Sequence, residues 1–149
     1  MKSSNFEESS NSIGLIFWKV STQWQRKIKE NLNKIDLTHT QFVILASIQE
    51  LSEDHKIITQ KEISDFSSID TMTVSSVLRL LEKKMYIQRL DHPNDTRANR
   101  IEITLDGEKI IHTAIPIVES VDNNFFFVNS KKNLQFIKLL KELEKTAIK

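Results

Sequence analysis

Arg89-Leu-Asp-His-Pro-Asn-Asp95-Thr-Arg97-Ala-Asn-Arg100-Ile-Glu-Ile-Thr104-Leu-Asp-Gly107 is the stretch whose reading decides the architecture. Two short segments of alternating apolar residues, Tyr86 to Leu90 and Arg100 to Thr104, flank a turn rich in Pro, Asn and Asp. Alternation with a period of two, bounded by turn formers, predicts a β-hairpin, here with a polar and partly basic tip. The hairpin directly follows a strongly periodic helix, Asp70 to Lys84, which carries Val74, Val77, Leu78 and Leu81 on its apolar face.

Upstream of that helix, Thr59-Gln-Lys-Glu62 forms a capping-box pattern. It opens a short helix expected to turn Ile63 and Phe66 inward. Ser67-Ser68-Ile69-Asp70 is a tight connection, and Asp70 or Thr71 caps the helix that follows. Two short helices joined by such a connection, the second followed by a hairpin, predict a winged helix-turn-helix. In that fold the second helix enters the major groove of DNA, and the hairpin reaches the flanking backbone or the minor groove.

The flanks are helical too. Asn11 or Ser12 caps a first helix running to about Asn31, with Ile13, Ile16/Phe17, Val20, Trp24 and Ile28 recurring every three or four residues as one buried stripe. Thr38 with Gln41 makes another capping box, opening a helix that carries Phe42, Leu45 and Ile48 and ends near Leu51. Ser52 to Lys56 is a polar loop, and Ile57-Ile58 is a candidate for a very short strand. After the hairpin, Thr104 caps a long helix with Ile110, Ile111, Ala114, Ile115, Val118, Val121 and Phe125 apolar, interrupted and kinked at Pro116. Asn129 to Lys132 breaks the pattern, and a final helix carries Leu134, Ile137, Leu140 and Leu143/Ile148.

These terminal helices are rich in large apolar residues: Trp18, Trp24, Phe125, Phe126, Phe127 and Phe136. On a lone 149-residue chain they leave a large exposed patch, and such patches mark interfaces. They are read as a dimerisation layer; the alternative is that they close one monomeric core. The expected class is mostly α with a small β-wing. A single winged-helix domain over 1–149 has its DNA-binding unit at about 36–104 and dimerisation helices at about 11–33 and 105–148.

Composition fits this class. Two glycines and two prolines favour helix, and 39% apolar with 28% charged residues is ordinary globular usage. With no cysteine there is no disulfide, thiolate metal site or thiol redox sensor. The polar N-terminus lacks an apolar signal core, and Ile13 to Trp18 is too short to span a bilayer, so a soluble cytoplasmic protein without a membrane partner is expected.

The net charge of +1 decides nothing about nucleic acid, but its distribution does. From Arg79 to Arg100 the basic residues are Arg79, Lys83, Lys84, Arg89, Arg97 and Arg100, against the acids Glu82, Asp91 and Asp95. The remainder of the chain is therefore net negative, and positive charge gathers where the fold needs phosphate contacts. Extending the count back to Thr59 adds Lys61 but also Glu62, Asp65 and Asp70, which dilutes the excess. A hairpin merely solubilised by charge is the lesser alternative reading of these features alone. The helix from Asp70 presents a polar face of Thr71, Thr73, Ser75, Ser76 and Arg79. Its hydroxyls suit phosphates or base edges, and Arg79 suits guanine or a phosphate. Arg97 is the better wing residue for minor-groove or backbone contact, and Asp95 is a residue that stiffens the wing.

The ordered set Leu37-Thr38-x-x-Gln41-Phe42-x-x-Leu45, the Ser/Thr-rich helix, Leu81-Glu82-Lys83-Lys84-x-Tyr86-Ile87-x-Arg89, Pro93-x-Asp95-x-Arg97 and Ile103-Thr104-x-x-Gly107 resembles the MarR family of bacterial transcription regulators. The resemblance runs from about Ile13 to the C-terminus. It implies a homodimer whose terminal helices interlock across a two-fold axis. It also implies a pseudo-palindromic double-stranded DNA operator, with recognition helices in successive major grooves about 34–36 Å apart, and repression as the commoner mode. By the same resemblance Thr71, Thr73, Ser75, Ser76 and Arg79 go to the major groove and Arg97 to the wing tip. Asp95 goes to a wing-orienting ion pair, and Arg89 to the wing base, by backbone contact or internal pairing. Where the family has Gly this chain has Met85, which either adopts the left-handed helix end that suits glycine or avoids it. The family implies a small aromatic or anionic effector held between the dimerisation helices and the DNA-binding unit. Trp18, Trp24, His39 and Phe42 are the candidate lining, with simple core packing the plainer role for the two tryptophans and Phe42. Absence of cysteine removes the thiol-oxidation mode known among relatives.

No enzyme constellation is present. His39, His55, His92 and His112 fall on four elements without HExxH-type spacing, which leaves only a metal site assembled across elements. Gly14 and Gly107 form no phosphate loop or nucleophile elbow, and no cofactor is expected. Two alternatives remain. One is a winged-helix module that binds another protein. The other is a small-molecule sensor without DNA reading.

Overall fold

The computed structural model describes residues 12–54, 57–91, 93–94, 99–126 and 129–147. Among these residues, six helices and one hairpin follow in the order α1 (Ile13–Leu32), α2 (His39–Ser52), α3 (Gln60–Ser67), α4 (Thr71–Lys83), β1 (Ile87–Asp91), β2 (Asn99–Ile103), α5 (Leu105–Phe125) and α6 (Ser130–Ala147), with a 3-10 turn at Asn33–Ile35. This is a winged helix-turn-helix with flanking helices, mostly α with a small antiparallel sheet. Among the described residues no helix is long and apolar enough to cross a membrane.

The helix starts follow from their caps. Ser12, Thr38, Thr59, Asp70 and Thr104 each accept a bond from a backbone amide in the first turn of the helix they precede. At Thr38 the box is reciprocal, because Gln41 Oε1 accepts from Thr38 N at 3.2 Å. Ser12, not Asn11, caps α1; Asn11 lies outside the described residues. α5 runs through Pro116 as one helix.

The helix ends are less usual. Among the described residues Asp36, Ser68 and Met85 have φ of 55°, 62° and 66°, and neither glycine has a positive φ. After α4, Tyr86 N donates to Leu81 O and Met85 N to Glu82 O, both at 3.0 Å. That pair of bonds is a Schellman motif with Met85 in the left-handed position. Met85 therefore takes the conformation that suits glycine, and its side chain is exposed. The same motif closes the end of the first helical segment, where Leu37 N donates to Leu32 O and Asp36 N to Asn33 O. Gly107 serves a different purpose: a Cβ there would collide with Tyr86 O and lie 2.7 Å from Ile103 Cγ1, so the start of α5 packs directly on the base of the hairpin.

One continuous core joins α1 through α5. It holds Ile28, Leu32, Leu37, Ile44, Leu45, Ile48, Ile63, Val74, Leu78, Leu81, Ile87, Ile101 and Ile111. In the hairpin, Ile87 pairs with Ile103 and Arg89 with Ile101. Ile57-Ile58 is no strand, although Ile101 N donates to Ile58 O at 2.8 Å, a single bridge that supports the sheet edge. Phe66 does not turn inward with Ile63; it is 53% exposed. Nor is the α1 stripe buried along its whole length. Ile28 is enclosed, whereas Ile13, Ile16, Phe17 and Val20 are exposed. On α6 no described residue is buried, and the apolar stripe is Phe136, Leu139, Leu140 and Leu143, at i, i+3, i+4 and i+7 spacing. Of the other apolar candidates, Phe127 and Ile148 lie outside the described residues.

The Met85 cap makes a direct prediction. A left-handed non-glycine residue costs about 1–2 kcal/mol, part of which glycine returns through the greater entropy of the unfolded chain. Met85→Gly is therefore expected to stabilise the fold by about 1 kcal/mol, a midpoint rise of about 2–4 °C. Thermal unfolding at matched protein concentration reads it, and a fall in midpoint would contradict the strain at this cap.

Candidate nucleic-acid interface

α3 and α4 are locked at their amino ends before any ligand is considered. Gln60 Nε2 donates to Thr71 O at 3.0 Å, which ties the first turns of the two helices together. In the connection, Ser64 Oγ donates to Ile69 O and Ile69 N donates to Ser67 Oγ. With Ser68 left-handed, every residue of this turn contributes to holding α4 at a fixed angle to α3.

At about 100° per residue, α4 divides into two faces. Val74, Leu78 and Leu81 are buried, and Met72, Ser76, Arg79 and Lys83 stand on the opposite side, all exposed. Thr71 and Ser75 flank this strip, Ser75 half-buried. Thr73 is drawn away to the cap: its hydroxyl donates to Asp70 Oδ1 at 2.7 Å and its amide to Oδ2 at 3.0 Å. These bonds, the hydroxyl's first, hold the Asp70 carboxyl below the usual carboxylate range. Ser76 Oγ donates to Met72 O within the helix, leaving its lone pairs outward. Arg79 leans back with Nε 3.5 Å from Ser75 O.

The basic residues counted in the sequence do not all face one way. Lys84 turns inward: its Nζ donates to Asp36 O at 2.6 Å and to Gln41 Oε1 at 3.2 Å, with Asp36 Oδ2 at 3.8 Å. Arg89, on β1, is largely covered and lies 3.8 Å from Glu82 Oε1. Arg100 lies 3.9 Å from Glu102 Oε1. Arg79 and Lys83 thus remain as the outward cations of α4. Asp95 and Arg97 lie outside the described residues, as do His55 and His92. Among the described residues no three metal-ligating side chains converge.

The four candidate effector residues separate. Trp24 and His39 meet edge to face at 5.2 Å. Phe126 closes over Trp24 at 5.9 Å, and Phe136 of α6 stands 6.0 Å from Phe126. Trp24 Nε1 donates to Asp122 Oδ1 at 2.8 Å. Phe42 packs against the core, and Trp18 stands exposed on α1. A cavity of about 360 Å³ between α1 and α5 is lined by Lys27, Asn31, Ser120, Val121, Asn124 and Phe125, and by none of those four. Sequence reasoning missed Asp122, Met72 and the inward turn of Lys84. Met72 alone carried a signal: it is an apolar residue off the Val74-Leu78-Leu81 stripe.

The MarR family model matches residues 37–98, the span from the start of α2 to just before β2. The chain is 39% identical over 142 residues to the HTH-type transcriptional regulator YdcH of Bacillus subtilis (strain 168), covering 95% of this chain and 96% of that protein. The chain belongs to the MarR family. As a MarR-family protein it is a regulator of transcription and not an enzyme. Its fold matches that of a mutant MarR from E. coli crystallised with operator DNA, at a TM-score of 0.82 and 24% identity over 94% of this chain and 99% of that one. It also matches Bordetella bronchiseptica BpsR, whose DNA binding is regulated by 6-hydroxynicotinic acid, at a TM-score of 0.84 and 19% identity over 94% of this chain and 98% of that one.

His39 supplies a pH prediction. Burial among aromatic rings lowers its pKa from 6.5, and the Asp122 carboxylate partly opposes this. Below pH 6.5 the unfolded chain takes up a proton on His39 more readily than the folded one, so stability falls as pH drops through this window. His39→Phe keeps a ring against Trp24 and removes the titration. Its urea midpoint is expected to fall less between neutral pH and pH 5 than that of the wild type. Equal slopes would contradict the depressed pKa.

Proposed function

We propose that this protein is a homodimeric, sequence-specific reader of double-stranded DNA, a ligand-responsive repressor acting on a pseudo-palindromic operator. The observation that carries the reading is the exposed face of α4. Its hydroxyls and two outward cations lie opposite the core and beside a hairpin, on a helix whose angle is set by the α3–α4 turn. The MarR relative bound to operator DNA supports it through the shared fold. In this reading residues 36–104 form the DNA-binding unit and Arg97 extends the contact at the wing. Arg89 braces the wing base against Glu82. A dimer sets two α4 helices in successive major grooves, about 34–36 Å apart.

The dimer layer is assigned to α1, α5 and α6. The exposed stripes Ile13-Ile16-Phe17-Val20 and Phe136-Leu139-Leu140-Leu143 supply the apolar area that a second copy covers. A small aromatic or anionic effector is expected between this layer and the DNA-binding unit, in line with the regulation of BpsR by an aromatic acid. The half-buried Trp24–His39–Phe126 cluster places aromatic rings at that junction. Function on DNA implies the cytoplasm as its place of action.

The test is a titration of the purified protein against its own upstream DNA and a scrambled duplex, at several salt concentrations. Selective binding is expected, with a log–log salt slope of about −0.9 for each phosphate neutralised. Arg79→Ala is expected to cost about 1–3 kcal/mol of operator affinity. Lys83→Ala is expected to flatten the salt slope, whereas Lys84→Ala, which removes an internal strut, leaves the slope unchanged and lowers the unfolding midpoint. Equal binding to both duplexes, with Arg79→Ala silent, would instead point to a winged-helix module for a protein partner.

A further inference from the structure

Met72 and Leu80 are the exposed apolar residues of α4, and Met72, at the amino-terminal end, is the one on the outward strip. Met72 is 80% exposed and occupies the second position of the helix, one turn before Ser76 and two turns before Arg79 on the same strip. By angle it lies opposite Leu81, so it projects from the middle of the outward face and not from its edge. Its neighbours there are Ser76, Arg79 and Lys83, all polar. Thr73, the residue beside it, has its hydroxyl committed to Asp70. The amino-terminal residues of a recognition helix are those that approach base edges. Among the groups that base pairs present in the major groove, the 5-methyl of thymine is the apolar one. A thioether side chain, unbranched and flexible, adapts to such a contact without a polar partner.

We infer that Met72 is a specificity-determining residue that reads a thymine in each operator half-site through contact with its 5-methyl group. The inference rests on the DNA-reading function proposed above and adds to it a position where base identity is recognised by apolar contact. Ser76 and Arg79, on either side, supply the polar contacts that fix the register.

The experiment separates the two. Full-length protein selects its operator from a random duplex library. Each thymine of the selected site is then replaced by deoxyuridine, which differs only in lacking the 5-methyl. For the wild type, one position per half-site is expected to lose affinity by about fourfold, the factor that burial of one such carbon contributes, and by about fifteenfold when both half-sites are changed. Met72→Ala is expected to bind the thymine and deoxyuridine operators equally, and Met72→Leu to retain the discrimination. Because the side chain is exposed, the alanine variant keeps its fold, and its circular dichroism checks this. A selected operator whose deoxyuridine penalties are absent, or identical in wild type and Met72→Ala, overturns the role of Met72 and leaves the DNA-reading function standing. Failure to select any operator overturns both.

Discussion

The Lys84 ammonium is the point through which the halves of this molecule are held in register. It sits just past the last turn of α4 and donates to the carbonyl of Asp36, 48 residues earlier. It donates also to Gln41, whose side-chain oxygen closes the cap of α2. Three helix termini thus meet around one cation: the carboxyl ends of α4 and of the α1 segment, and the amino end of α2. Helix carboxyl ends carry partial negative charge, and two of them side by side repel unless a positive group stands between them. Lys84 stands there, half-buried, with Gln41 enclosed behind it. This contact links the end of α4 to the end of the α1 segment above the apolar core that the two helices share.

The same junction explains why two ordinary residues tolerate left-handed backbone. Asp36 and Met85 each end a helix in a Schellman motif, and the carbonyls and amides released there are satisfied by the chain itself. Their conformation is over-determined by the strut between them, so glycine is not required. Of the two glycines, Gly107 is the one required by space, against Tyr86 and Ile103.

Much of this was legible in the residues. The caps at Thr38, Thr59 and Thr104 and the alternation on either side of Pro93 locate the elements, because capping and strand period are local rules. The stripes on α1 and α6 were harder, since periodicity reports which face is apolar and not what covers it. Phe66 fits an i, i+3 pattern with Ile63 and still points out, because α3 is only two turns long and one apolar residue seats it. Of the outward strip of α4, Ser76 and Arg79 were readable; Met72 and Lys83 were not assigned to it, Thr73 turns to the Asp70 cap and Ser75 only flanks it. The count of basic residues was not a guide, because charge along a sequence carries no direction. Lys84 is spent on the Asp36 carbonyl and Gln41, Arg89 is largely covered 3.8 Å from Glu82, and nothing in their spacing distinguishes them from Lys83. Asp122, 98 residues from Trp24, is a pairing that only tertiary structure creates.

α6 has a further consequence. It is an 18-residue helix with none of its described residues buried, and in proteins most helical stability comes from tertiary packing of an apolar face. Its order is therefore inseparable from whatever covers it. With a second copy as the cover, folding becomes a matter of mass action: dilution and denaturation lead along the same path, and stability is a property of protomer concentration as well as of sequence. On the proposed dimer, the regulator would be most complete where both copies are held together, on a duplex that engages the two at once.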